Sequence, residues 1–193
     1  MRLFSKRILK KIVLLPKIIL SRFPVIEYYL NLYGEQLFID QLNLVCRNKQ
    51  KVIFIEIGSS DLKEAIILSR TNQNIKIMGK IYEASRTTYQ NLLRIRDSFR
   101  VKNLEIFNRA IVPSKLNYRL VKNKYPHLNK MVYSKTKLKN KSKNILLSDI
   151  NDLYLDGIHK LVKMDIEGLE EELLISNLAF IKKLSNISFA IEL

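Results

Sequence analysis

The 193-residue sequence has one cysteine, four prolines that are never adjacent, and no apolar run long enough to cross a membrane. The single cysteine, Cys46, cannot form an internal disulfide, so a reducing compartment such as the cytoplasm is expected. Near the N-terminus the longest uncharged apolar run is Ile12 to Pro16, whereas a spanning helix needs ~20 residues. No small-residue cleavage site follows this run, which argues against a signal peptide.

Acidic residues are scarce: 18 of them stand against 34 lysines and arginines, which gives a net charge of +16. The excess lies in two segments without any acid, residues 1–25 with seven basic side chains and residues 114–144 with ten. The rest of the chain carries 17 basic and all 18 acidic residues, so a nearly neutral body bears two cationic segments.

Residues 1–50 are predicted to be a basic, amphipathic, helical segment that precedes a domain at 51–193. Its first part has apolar residues at steps of three and four with lysine and arginine between them, and Pro16 should kink or interrupt the helix. Such a helix either packs on the domain with a solvated basic face or docks on an anionic membrane surface, which would make the protein peripheral at the membrane.

After residue 50 the periodicity alternates between the two regular types. Strands are predicted at 51–57, 75–84, 103–112, 159–168 and 186–193, with helices at 62–70, 86–99 and 169–184. This alternation predicts an α/β fold with a mostly parallel sheet and helices on both faces. Ligands of such sheets bind beyond the carboxyl ends of the strands, where the unusual polar residues of this sequence also lie.

The first predicted strand ends in "EIGSS", which places Glu56 and a small-residue loop after a buried apolar run. Gly58 would let the backbone turn tightly and approach a ligand, with the amide groups of the next helix aimed at the same place. A dinucleotide would require three glycines, and this loop has one. A ligand without phosphate, such as S-adenosylmethionine, fits better; the alternative is an ordinary turn.

Two further strand ends carry carboxylates. Glu83 ends the second strand, where an acid can accept both hydroxyls of a ribose, or be a plain surface acid. Asp165 and Glu167 follow the fourth strand beside Gly168. They could bind a divalent metal, position a hydroxyl or act as general base. Alternatively, Glu167 and the acids after it could simply stabilise the start of the next helix by interacting with its dipole.

Taken together, "IFIEIGSSD", "IYEAS", "FNRAIV" and "LVKMDIEGLEEELL" resemble the FkbM-type family of S-adenosylmethionine-dependent methyltransferases, in the family's motif order from about residue 51 to 193. The resemblance implies a Rossmann-like class I methyltransferase fold and O-methylation, commonly of a sugar or polyketide-type acceptor. Its "KMDIEGLE" block is the most specific part.

The resemblance also implies the site residues. The first loop would hold the methionine part of S-adenosylmethionine, the end of the second strand its ribose, and the third strand would lie beside adenine. These cofactor-binding residues are Glu56, Gly58, Ser59, Ser60, Glu83, Ala84, Asn108 and Ala110. Facing the methyl group and the acceptor would be the predicted catalytic residues Lys163, Asp165 and Glu167. His127 and His159 are further candidate bases, and no residue is assigned to a metal.

Two features depart from the family pattern. Leu62 stands near the place of a second glycine, and the chain stops after "FAIEL", so the last two strands of the fold are expected to be absent. The fifth strand would then be an exposed edge that could mediate homo-oligomerisation.

The basic segment 114–144 occupies the acceptor side in this resemblance, where it could bind an acidic glycan as a lid or be a solvated loop. Interleaved tyrosines and lysines also suit single-stranded nucleic acid, but the absence of a Pro-Pro pair disfavours a nucleic-acid base methyltransferase. A further alternative is a truncated, non-catalytic methyltransferase-like protein that binds membrane or polyanions.

Overall fold

A computed structural model describes residues 51–71, 76–101, 103–114, 118–121, 130–133 and 144–191. The predicted N-terminal segment 1–50 and its membrane contact lie outside the described residues, as does His127. In the described part of the chain, no helix combines the length and the apolar character that crossing a membrane requires.

The described residues form strands and helices in an alternating order. The strands are β1 (Lys51–Ile57), β2 (Lys76–Tyr82), β3 (Leu104–Phe107), β4 (Ala110–Val112), β5 (Tyr118–Val121), β6 (Lys130–Tyr133), β7 (Asn144–Leu146), β8 (His159–Met164) and β9 (Ile187–Ile191). The α-helices are α1 (Lys63–Thr71), α2 (Arg86–Phe99), α3 (Glu170–Ser176) and α4 (Leu178–Ile181), and two 3₁₀ helices span Leu147–Asp149 and Asn151–Tyr154.

The main sheet has five parallel strands in the order β3-β2-β1-β8-β9. The central strand β1 is buried along almost its whole length, which explains why its sequence is a nearly continuous apolar run rather than an alternating one. Helices α1 and α2 pack on one face of the sheet, while α3, α4 and the 3₁₀ helices pack on the other. The predicted α/β fold with a parallel sheet and helices on both faces is therefore confirmed.

The predicted strand at 103–112 is wrong in one respect, because it is two strands in different sheets. After β3 the side-chain amide of Asn108 donates hydrogen bonds to the carbonyl oxygens of Glu83 (2.9 Å) and Ala84 (3.2 Å), where the chain leaves the main sheet. It continues as β4, which pairs in parallel with β7. Within the basic segment 114–144, β5 and β6 pair as an antiparallel hairpin.

Two more predicted elements end earlier than expected. The strand predicted at 159–168 stops at Met164, and the loop that follows has positive φ angles at Glu167 (57°) and Gly168 (95°), which no strand contains. The helix predicted at 169–184 is divided at Asn177 into α3 and α4.

Strand β9 is an edge of the described sheet and its residues are only partly buried. Association through β9 stays a prediction.

Candidate functional site at the carboxyl edge of the sheet

An open cleft lies at the carboxyl edge of the main sheet, where the loops after β1, β2 and β8 meet β4 and the β5–β6 hairpin. Its walls contain eight of the residues predicted from sequence: Gly58, Ser59, Ser60, Glu83, Ala84, Ala110, Asp165 and Glu167. The other three predicted residues, Glu56, Asn108 and Lys163, are not among the residues that line it. The lining residues that were not predicted are Ile57, Tyr82, Thr88, Arg109, Ile111, Leu120, Met131 and Ile166.

Gly58 holds the first loop against the loop that follows β8. Its backbone has φ 81°, its N–H donates to the carbonyl of Tyr82 (2.9 Å), and the N–H of Asp165 donates to the carbonyl of Ile57 (2.9 Å). A Cβ atom at this position would overlap with the carbonyl oxygen of Asp165. The predicted tight turn is thus present, and the close approach that requires glycine is to the β8–α3 loop.

Leu62, which stands near the place of the family's second glycine, adopts a left-handed backbone conformation with φ 60°. This conformation costs a non-glycine residue roughly 1–2 kcal/mol. The Leu62 side chain is fully buried in the core with Phe54 and Ile66, and this burial offsets the strain. The loop therefore has a backbone conformation that glycine would favour, although the residue is leucine.

Glu83 lies at the end of β2 and is fixed by the start of α2. Its Oε1 atom accepts a hydrogen bond from the N–H of Ser85 (2.6 Å), and Ser85 caps α2 by accepting from the N–H of Thr88 (3.3 Å). Burial raises the pKa of Glu83 from 4.5 to about 7; hydrogen bonds from Ser85 and Ser59 oppose this shift, while the charge of Asp165 adds to it. This carboxyl group therefore titrates near neutral pH.

Lys163 and three carboxylates form a buried cluster next to the cleft. The Lys163 ammonium lies 2.9 Å from Glu64 Oε1, 3.4 Å from Asp165 Oδ2 and 3.9 Å from Glu56 Oε1, and only 8% of Lys163 is exposed. Burial disfavours the ammonium, but the Glu56 and Glu64 carboxylates outweigh this effect and raise the pKa of Lys163. Lys163 thus links Asp165, which lines the cleft, to the buried carboxylates of Glu56 and Glu64, which do not.

Glu56 is the most buried acid of this cluster, with 1% of its surface exposed. Burial raises its pKa well above 4.5, and repulsion from Glu64 adds to this shift, whereas Lys163 and the Ser59 hydroxyl lower it. Its Oε2 atom has no hydrogen-bond partner among the described residues. Sequence analysis identified Glu56 but not Glu64, since a first-turn glutamate of a helix is most simply explained by the helix dipole.

The β8–α3 loop that carries Asp165 and Glu167 is held by Glu170. The two oxygens of the Glu170 carboxylate accept hydrogen bonds from the N–H groups of Ile166 (2.7 Å) and Gly168 (2.8 Å), and Glu170 is buried. Among the acids that sequence analysis grouped at the helix start, Glu170 therefore has a specific role. It fixes the loop conformation in which Asp165 and Glu167 reach the cleft.

The β5–β6 hairpin forms an apolar wall of the cleft through Leu120 and Met131. It is anchored by the Tyr118 hydroxyl, which donates to Glu172 (2.6 Å), and by the Asn144 amide, which donates to the Tyr118 carbonyl (3.0 Å). Few signals in the sequence could have revealed this wall, because its strands lie in a lysine-rich segment that resembles a solvated loop.

His159, a candidate base in the sequence, lies at the first residue of β8, whereas the cleft is at the opposite, carboxyl end of that strand. Its Nε2 atom is 3.0 Å from the Ser188 hydroxyl on β9. The prediction of His159 as a base of this site is therefore wrong. Within the described ranges, no group of three or more His, Cys, Asp and Glu side chains is arranged to hold a metal ion.

The similarity of the chain to known proteins is distant. No protein-family model matches the chain, and no curated protein matches it significantly. Among solved structures, it is similar to the methyltransferase FkbM from Methylobacillus flagellatus KT, with 18% sequence identity and a TM-score of 0.45. The match covers 74% of this chain but only 32% of that protein, so the chain spans about a third of its length. Such a distant similarity carries no functional conclusion, and membership of the FkbM-type family stays a prediction.

Proposed function

We propose that the cleft binds S-adenosylmethionine and that the protein transfers its methyl group to a hydroxyl oxygen of a sugar or glycan acceptor. One observation carries this proposal: Glu83, which follows β2, and Asp165 and Glu167, which follow β8, line a single cleft at the carboxyl edge of a parallel sheet. This edge is where nucleoside ligands bind in α/β folds.

The charge of the cleft supports a cationic ligand. Among the residues that the structure describes, three acidic side chains line it against one basic side chain, Arg109, although the whole chain has a net charge of +16. This excess of acids over bases favours a cationic group over a phosphate, and so favours a cofactor without phosphate over dinucleotides and nucleic acid. A sulfonium cofactor without phosphate fits this charge.

The residues present also fit the parts of S-adenosylmethionine. Glu83 is a carboxylate at the end of the second strand, the position from which an acid accepts ribose hydroxyls. The Gly58–Ser60 loop presents a glycine and two serines to the cleft, so no bulky side chain of this loop occupies the space. When bound, the cofactor would supply a methyl carbon attached to a sulfonium sulfur.

The protein residues would then orient the acceptor and remove its proton. Asp165 or Glu167 accepts the hydrogen bond of the acceptor hydroxyl and acts as general base. Lys163, 3.4 Å from Asp165, keeps this carboxylate in position, and Glu170 fixes the backbone of both acids. The apolar wall from Leu120 and Met131 limits the access of water to the same space.

Transfer of a labelled methyl group tests this proposal. The protein is incubated with methyl-labelled S-adenosylmethionine and a panel of oligosaccharides, beside D165N and E167Q, which keep the size of each side chain. We expect label on a hydroxyl oxygen with the wild type and at least about a 100-fold lower rate in one of the two variants. Wild-type rates in both variants would refute the assignment of the base.

A further inference from the structure

Thr88 is a buried residue of the cleft wall whose hydroxyl has no partner. It lies in the first turn of α2, is 8% exposed, and lines the cleft together with Glu83. Its backbone N–H donates to the Ser85 hydroxyl, but its own Oγ1 atom makes no hydrogen bond within the residues that the structure describes.

The usual acceptors for a hydroxyl at this place in a helix do not bind the Thr88 Oγ1 atom. A threonine inside a helix usually donates to a carbonyl three or four residues before it. For Thr88 these are the carbonyls of Ser85, which accepts from the N–H of Tyr89 (2.9 Å), and of Ala84, which accepts from the Asn108 amide (3.2 Å). A buried hydroxyl without a partner is unfavourable, so a ligand that brings a hydrogen-bond partner to Thr88 would bind more tightly.

Thr88 and Glu83 also belong to one rigid arrangement. Ser85 donates its N–H to Glu83 and accepts from the N–H of Thr88, so a chain of two hydrogen bonds links the two residues at the start of α2. Both residues belong to the cleft wall, so a ligand beside Glu83 lies against the part of the wall that contains Thr88.

We propose that the Thr88 hydroxyl is a ligand-binding group, which hydrogen-bonds to a polar atom of the nucleoside part of the cofactor beside Glu83. This inference rests on the proposed binding of S-adenosylmethionine. It adds a contact that sequence analysis did not identify, since a threonine in the first turn of a helix carries no signal of its own.

Calorimetric titration with S-adenosylmethionine, combined with thermal unfolding without ligand, tests this contact. The variants are T88V, which removes the hydroxyl at constant shape, T88S, which retains it, and the control T87V at the exposed neighbouring position. We expect T88V to bind about three- to tenfold more weakly, T88S within about twofold of the wild type, and T87V unchanged. The unfolding temperature of T88V should not fall, because valine removes an unpaired buried hydroxyl.

The outcomes separate this inference from the proposed function. If the wild type binds and T88V binds equally well, Thr88 makes no ligand contact and only this inference fails. A lower unfolding temperature of T88V without ligand would show that the hydroxyl has a partner within the protein, which also overturns it. If the folded wild type does not bind S-adenosylmethionine, the proposed function fails and this inference fails with it.

Discussion

Glu83 should make both stability and ligand binding depend on pH, and this effect can be calculated from its environment. Its pKa is raised from 4.5 to about 7, chiefly by burial. Between these two pH values the folded protein binds a proton that the unfolded chain has already lost, so the stability contributed by this group falls as pH rises. At about 1.4 kcal/mol per pH unit, this difference of about 2.5 units limits the loss to about 3.5 kcal/mol, and about 3 kcal/mol or less falls between pH 4.5 and 7.

E83Q removes this titration while keeping an oxygen that can accept the N–H of Ser85. Relative to wild type, E83Q should therefore gain up to about 3 kcal/mol of stability between pH 5 and pH 8. Urea denaturation of both proteins across this range measures the difference between their free energies of unfolding. Glu56, whose pKa is also raised, contributes equally to both proteins, so this difference reports on Glu83 alone. Parallel stability profiles for the two proteins would refute the buried, proton-binding state of Glu83.

The same group predicts the pH dependence of binding. Ribose hydroxyls donate to the ionised carboxylate, of which about a tenth is present at pH 6 and about nine tenths at pH 8 when the pKa is about 7. The affinity of the wild type for S-adenosylmethionine should therefore rise about tenfold over this range. Any pH dependence of the affinity that remains in E83Q comes from other groups of the protein or from the ligand. Equal slopes in both proteins would contradict a contact between Glu83 and the ribose.

Three other substitutions test how the cleft is built, each by urea denaturation. Gly58→Ala should destabilise the fold by more than the roughly 1–2 kcal/mol of backbone strain, because its Cβ overlaps with the β8–α3 loop. In the control Gly157→Ala, the residue also has a positive φ (71°) but open space around it, so this variant should lose only the strain energy. Equal losses would contradict the close approach. Lys163→Met leaves its carboxylate partners without a cation and should cost about 3–5 kcal/mol, and a loss below about 1 kcal/mol would contradict the buried cluster. Glu170→Ala should lower the free energy of unfolding by about 1–3 kcal/mol and should also lower the rate of any methyl transfer. The control Glu171→Ala, at an exposed position, should change neither the stability nor the rate. Equal effects of the two substitutions would contradict the role of Glu170 in the loop.

Local patterns were sufficient to predict the main sheet. The apolar run of β1 required burial on both faces, and the helix predicted at 86–99 has the bounds of α2, Arg86–Phe99. The strand-end residues Gly58, Glu83 and Asp165 could be placed together because parallel strands bring their carboxyl ends to one edge.

The remaining features depend on contacts between distant residues. Glu64 meets Lys163 across 99 positions, so its part in the buried cluster has no local signal. The division of the strand predicted at 103–112 depends on Asn108 and on pairing of β4 with β7, some 34 residues later. The sequence of the hairpin that supplies Leu120 and Met131 has neither an alternating apolar pattern nor a glycine for the turn. Its many lysines are also typical of a solvated loop, so no strand was predicted there.

Binding of S-adenosylmethionine to the full chain, measured calorimetrically, tests the central claim most directly. The matched pair of variants is E83A in the cleft and E171A on the exposed surface, which remove the same group in two places. We predict saturable binding by the wild type and E171A, and binding at least about tenfold weaker in E83A. No binding by a folded wild type, or equal binding by E83A, would contradict the account. Salt-dependent binding to RNA or anionic vesicles in place of the cofactor would instead support a non-catalytic protein that acts through its basic segments.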